Sequence, residues 1–295
     1  MRKLFLVTIG FLALYSCEKE IPLDAEQSDP RLVFNSIFSA NDTIFVNLSK
    51  SKSILDEQYV DPSITGAIIT LLDDNGNLLA TAEEVGLGNY FIADMLPEVG
   101  KTYELRAVKS GFENISATSY TPSIISIASL DTMTAANGDF DFTFNINDPA
   151  SESNYYGISM IAYYRIIDEF SMDTFYWEVP YYTTQEVYID NGTQDIDGQT
   201  YDSEFFFSDK TFNGTSFSFK GSKYAEDWEG PELLYYVAVV RSMSEDLYKY
   251  KISYQKYSET QGNFFAEPVR VYSNVENGFG IFGGASEYRD TLWVE

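Results

Sequence analysis

Residues 140–147 alternate Phe140, Phe142, Phe144 and Ile146 with Asp141, Thr143, Asn145 and Asn147. Successive side chains of a strand point to opposite faces, so this pattern predicts a half-buried strand with one aromatic face. Short apolar runs of strand length recur on both sides. Before it they fall at 32–38, 43–48, 66–72, 78–82, 88–92, 100–108 and 115–120, separated by turn residues such as Asn41-Asp42 and Lys109-Ser110-Gly111. Asn75-Gly76 reads as a two-residue hairpin turn, because both residue types tolerate positive φ. After it come a long strand at 155–167 and shorter ones at 174–179, 185–189, 204–207 and 216–219. The run 233–241 is the most apolar and is expected to be central. The period changes only once. Ser242 and Glu245 have capping-box spacing, and Leu247, Tyr250, Tyr254 and Tyr257 then recur at steps of three and four, which predicts one helix over about 243–258 packed on the sheet by that stripe.

These elements describe a mainly β protein with two β-sandwich-like domains. Pro122 restrains Thr121 to extended backbone and cannot donate to a ladder, so the boundary is placed there. The first domain spans 31–121. The second and larger one spans 122–295 and carries the helix.

The chain opens with Arg2-Lys3, an apolar run over 4–11, and Leu12-Ala13-Leu14-Tyr15-Ser16-Cys17. Two cations, a short apolar segment and a small residue before cysteine form a secretory signal with a lipobox-like end. The run is too short to span a bilayer. Cys17 is thus expected to be the lipidated first residue of the mature protein, with 1–16 removed and 17–30 as a polar tether. Tyr15 is bulky for a lipobox, which keeps an ordinary signal peptide with a chance cysteine as one other reading; an uncleaved cytosolic start is the second. Cys17 is the only cysteine of 295 residues, so no internal disulfide can form.

Composition narrows the function. A formal charge of −26, made more negative by loss of Arg2 and Lys3, is wrong for nucleic acid or for a basic patch on an anionic membrane. With 22 Phe and 23 Tyr the chain can bury a large core. The absence of histidine removes His-based triads and His-ligated zinc or haem. No catalytic pair of acids can be nominated from the sequence, and the expectation is a binding protein, not an enzyme.

Two constellations remain. Acids and amides alternate over 190–198, where Asp190, Asp195 and Asp197 offer hard oxygen ligands; calcium is the one cofactor left open, against a plain acidic loop. Tyr176, Trp177, Tyr181 and Tyr182 cluster in sequence, and Trp228 lies between Asp227 and Glu229. Flat rings beside carboxylates suit a glycan or peptide ligand, whereas ordinary core packing is the bland reading.

Ala67-Ile68-Ile69-Thr70-Leu71-Leu72-Asp73-Asp74-Asn75-Gly76-Asn77, Gly88-Asn89-Tyr90-Phe91 and the alternating run 100–108 together resemble carboxypeptidase-regulatory and transthyretin-like sandwich modules. Glu18, Glu20 and Asp24, so soon after Cys17, resemble the surface-export signal of Bacteroidota lipoproteins; a plain polar tether is the alternative. Asp42-Thr43-Ile44, Asp131-Thr132-Met133 and Asp290-Thr291-Leu292 resemble Bacteroidota O-glycosylation acceptors, or are strand-edge coincidences.

The glycine-rich run Glu276-Asn277-Gly278-Phe279-Gly280-Ile281-Phe282-Gly283-Gly284 predicts close backbone approach beside packed aromatics. With Glu267-Pro268 and Val271-Tyr272-Ser273-Asn274 before it, this segment resembles the end of outer-membrane lipoproteins of the domain of unknown function 4249 family, and 31–51 resembles that family's start. The resemblance implies an outer-membrane, lipid-anchored, surface-exposed protein that serves as a binding accessory of a TonB-dependent nutrient transporter. It implies no site residues. A surface hydrolase such as a glycosidase, or a structural or adhesive lipoprotein, are the alternatives.

Overall fold

A computed structural model describes residues 29–53, 60–134, 139–150, 152–167, 172–185, 189–191, 193–194, 198–224, 231–262 and 266–293. Contacts separate Met1–Asp29 with Ser53–Tyr59 from a compact unit of Pro30–Lys52 and Val60–Glu295, whose architecture follows.

The unit is mainly β. The first strands are β1 (Leu32–Ser39), β2 (Ile44–Lys50), β3 (Ile68–Asp73), β4 (Leu78–Thr81), β5 (Glu83–Gly86) and β6 (Asn89–Ile92). Next come β7 (Thr102–Val108), β8 (Ile115–Tyr120), β9 (Ser126–Thr134), β10 (Phe140–Asn147), β11 (Tyr155–Ile167) and β12 (Met172–Glu178). Short strands β13 (Tyr181–Thr183), β14 (Thr193–Gln194), β15 (Thr200–Asp202) and β16 (Glu204–Ser208) follow. Last are β17 (Ser216–Lys223), β18 (Glu232–Met243), helix α1 (Glu245–Thr260) and β19 (Phe279–Trp293).

Nine strands form a backing sheet in the order β12-β11-β18-β19-β1-β2-β6-β5, with β16 also pairing β11. As expected, β18 is interior. Four strands in the order β4-β3-β7-β8 make a second sheet, and six in the order β14-β15-β13-β17-β10-β9 a third. Alternation decides which side chains meet. Phe34, Phe38, Ile44, Val46 and Leu48 of the backing sheet share a core with Ile69, Leu71, Leu105 and Ala107 of the four-stranded sheet. Ile158, Met160, Ala162, Ala238 and Val240 share another with Phe142, Phe144, Phe217 and Phe219 of the six-stranded sheet. Two sandwiches thus stand on one backing sheet.

The parallel pairing of β1 with β19 joins them, since Phe282 of β19 belongs to the first core and Leu292 to the second. The glycines of β19 make that pairing possible. A Cβ on Gly280 would lie 1.9 Å from the Phe34 carbonyl oxygen, at a φ of +109° that itself favours glycine. Phe282 stacks on Phe38 with centroids 4.5 Å apart, which is the close approach beside aromatics that the run predicted.

Two local expectations are corrected. At the β3–β4 hairpin Gly76 is left-handed at φ +80°, but Asn75 is not among the positive-φ residues. The connection has four residues because the Asp73 carboxylate accepts the Asn75 and Asn77 amides, at 2.9 and 2.8 Å, and so shapes a longer turn. The helix cap is Ser244, not Ser242, which stays in β18; the Ser244 Oγ accepts from the Leu247 amide at 3.3 Å. Among the described residues no helix is long and apolar enough to cross a membrane.

Candidate functional site

The core takes the even-numbered residues of β11, β18 and β19, which leaves the odd-numbered ones for the other face of the backing sheet. Register then lines up aromatics across four strands. Tyr163 is opposite both Tyr176 and Tyr235, and Tyr235 is opposite Trp293. Ring centroids are 5.1 Å apart for Tyr176–Tyr163, 4.8 Å for Tyr163–Tyr235 and 5.1 Å for Tyr235–Trp293. The first two pairs stack at 28° and 24°, and Trp293 turns edgewise at 60°. Tyr163 and Tyr235 are half-buried, while Tyr176 and Trp293 are 64% and 67% exposed. Each cross-strand pair contributes roughly 0.2–1 kcal/mol to the sheet, so the row adds to its stability. Its inner rings cover one another's faces and present rims. Open ring surface is greatest at the two ends.

The next row of the same face is Glu178, Ile161, Val237 and Thr291. Beyond it lies a charged cluster at the foot of α1. Arg241 donates to Glu204, to Glu287 at 2.7 Å and to Ser159 at 3.1 Å, with Glu178 3.8 Å away. Lys251 of α1 reaches Glu204 at 3.2 Å. Burial by itself would raise the Glu287 carboxyl, but Arg241 and Arg289 outweigh it and hold Glu287 below its ordinary value. Burial would likewise lower the Arg241 guanidinium, and Glu204 and Glu287 reverse that too. These carboxylates are committed to cations. The cluster is suited to fixing α1 on the sheet.

Asn191 and Asp202 extend the polar seam. The Asn191 amide donates to Gln255 at 2.8 Å and to the Glu204 carbonyl at 2.7 Å, and Gln255 donates to Asp202. The side of α1 against the sheet is therefore Leu247, Tyr248, Lys251, Ile252 and Gln255. Of the stripe expected from spacing, Leu247 is buried and Tyr250 packs beside it, but Tyr254 and Tyr257 are exposed. Glu204 and Asp202 draw Lys251 and Gln255 inward and leave Tyr254 and Tyr257 on the outside.

The expected aromatic cluster is split by strand parity. Tyr176 is in the exposed row. Trp177, one residue on, points to the core side at the sheet edge and stacks on Tyr164 at 4.5 Å. Tyr181 is 1% exposed, donates to the Ile158 carbonyl at 2.7 Å and is pushed well above its ordinary value by burial, so it is a core residue and no ligand contact. Tyr182 points outward on the six-stranded sheet, with its ring 4.6 Å from Tyr224 and 5.5 Å from Tyr201. Trp228 lies outside the described residues, as do Cys17, Asp195 and Asp197. Asp190 accepts a hydrogen bond from Tyr248. Among the described residues no group of three or more acids or cysteines is placed to hold a metal ion. Thr132 and Thr291 are exposed and Thr43 is half-buried, and the Thr43 and Thr291 amides are capped by their neighbours Asp42 and Asp290 at 2.7 and 2.8 Å.

Tyr163, Tyr235, Trp293, Tyr201 and Tyr224 were not singled out from the sequence. Strand parity would have put Tyr163 and Tyr235 outward, but only the pairing brings them side by side.

A family model described as Domain of unknown function (DUF4249) matches residues 18–291. No curated protein matches the chain. Among solved structures, the crystal structure of bovine butyrophilin aligns at 7% identity over 72% of this chain and 92% of its own, with a TM-score of 0.21.

Proposed function

The chain belongs to the DUF4249 family, and from that premise we propose that it is a lipid-anchored protein of the outer-membrane surface that serves as a binding accessory of a TonB-dependent uptake system. The observation that carries the binding role is the exposed row Tyr176–Tyr163–Tyr235–Trp293. Tyrosine and tryptophan are enriched at the centres of protein interfaces, where a rigid ring buries much area at little entropic cost. A row with its rims outward suits a protein partner, which can take both ring edges and phenol hydroxyls.

The anchor is supported by the signal-like residues 1–16 ahead of Cys17 and by a family match that starts one residue after it. The acidity of the chain supports it as well, because a protein repelled by anionic lipid needs a covalent hold. Glu18, Glu20 and Asp24, directly after Cys17, support surface exposure, and the family resemblance supports the transporter as partner.

Affinity purification of the tagged full chain from detergent-solubilised outer membranes tests the proposal. Intact-mass analysis should find acylated Cys17, and a TonB-dependent transporter should copurify. Trp293→Ala should reduce the transporter recovered about tenfold or more while the protein stays in the membrane fraction. A lone monomer at every detergent level would overturn the accessory role. An intact mass that shows Cys17 without acyl chains would overturn the anchor.

A further inference from the structure

The six-stranded sheet has a groove on its outer face, and its origin is local. β13 meets β17 by backbone at one rung, Tyr182 opposite Ser222. Past that rung side chains replace the ladder. The Thr183 Oγ1 donates to the Lys220 carbonyl at 2.7 Å, the Gln185 Nε2 donates to the Ser218 carbonyl at 2.9 Å, and the Lys220 amide donates to the Gln185 Oε1 at 2.6 Å. A side chain is a longer spacer than a peptide group, so the strands part. The opening has a volume of about 340 Å³, at the lower end of the range for small-molecule sites.

Two rows of side chains floor the groove. One is Asp131, Thr143 and Lys220, and the other Met133, Asp141, Ser222 and Tyr182. The rows are two residues apart along the strands, about 7 Å. Asp131 is held in place, its carboxylate accepting from Ser129 at 3.1 Å and from Asn145 at 3.2 Å. Tyr182 makes a tyrosine wall at one end and is backed by the half-exposed ring of Tyr224.

The geometry points to a neutral saccharide as the ligand of this groove. Carboxylates accept from sugar hydroxyls, Lys220 donates to them, and Thr143 and Ser222 do either. The C–H face of a pyranose covers the tyrosine wall. An anionic ligand would face Asp131 and Asp141 together with Asp139, whose charge also acts on Tyr182. An apolar ligand would strip water from the carboxylates and return no hydrogen bond. The ring row of the backing sheet is a different surface, so this inference does not depend on a transporter.

Saturation-transfer NMR on the full chain, held in a detergent without a sugar headgroup, tests it. Maltose, cellobiose and lactose are the probes, with glucuronate as an acidic comparison. Saturation is expected on ring C–H protons of at least one neutral disaccharide at about 10 mM or below, with weaker saturation of glucuronate. Asp141→Asn, which keeps the shape, and Tyr224→Ala should each weaken binding about tenfold or more, and Trp293→Ala should leave it unchanged. Absence of saturation with all three disaccharides overturns the inference. So does equal binding of glucuronate, or an Asp141→Asn variant that folds and binds as the parent does. Loss on Trp293→Ala alone would move the sugar to the other face and overturn it as well.

Discussion

Arg241 and its acids show what a single residue does in this fold. Its guanidinium serves Glu204 and Glu287 at once, on a surface that would otherwise carry bare like charges between α1 and the backing sheet. The Glu287 value is depressed in the folded protein. Its contribution to stability is therefore complete above the unfolded carboxyl value and is lost as pH falls through the folded one. Glu287→Gln should lower stability by about 1–2 kcal/mol at neutral pH, read from urea midpoints. The gap between variant and parent should close in acid, because protonation makes the parent resemble the variant. A gap unchanged down to about pH 3 would mean that Glu287 acts by shape and not by charge.

At the scale of elements, α1 depends on its first turn. Ser244 is fully buried, and its Oγ accepts from the Leu247 amide and, at 3.2 Å, from the Gly284 amide of β19. Ser244→Ala should cost about 1–2 kcal/mol, with hydrogen exchange quickening first over 245–250. Exchange that quickens equally over the whole chain would argue that the cap is not local to the helix. The strands were legible because one face of each is dry: β10 buries Phe140, Phe142, Phe144 and Ile146, as its alternation required. The cap lies two residues beyond its expected place because Ser242 and Ser244 both precede Glu245 within three positions, and only the end of β18 decides between them. The helix seam differs from its expected stripe because hydrophobic spacing carries no record of where Glu204 of β16 and Asp202 of β15 sit. The candidate site was less legible still. Tyr181 and Tyr182 look alike in the chain, and strand parity sends one to the core and the other to the groove.

The whole molecule turns on the last strand. β19 pairs with β18 along the second sandwich and with β1 along the first, a contact between the two ends of the described fold that no local pattern announces. Gly284 sits where these meet. Its amide lies 3.2 Å from the hydroxyls of Ser119, at the end of β8, and Ser244, at the start of α1, while its carbonyl accepts the Ser244 amide at 2.9 Å. A Cβ there would fall 2.0 Å from the Tyr120 carbonyl oxygen, which belongs to backbone and cannot swing aside. Gly284→Ala should thus force β8 and β19 apart and cost about 3 kcal/mol or more. Because Phe282 and Leu292 anchor one strand in two cores, the loss should not stay in one sandwich. Calorimetry should show a single transition with its midpoint lowered, and exchange should quicken alike at Phe34 and Leu105 of the first core and at Phe144 and Val240 of the second. Two separate transitions, only one of them shifted, would show that the backing sheet joins the sandwiches without coupling their stability.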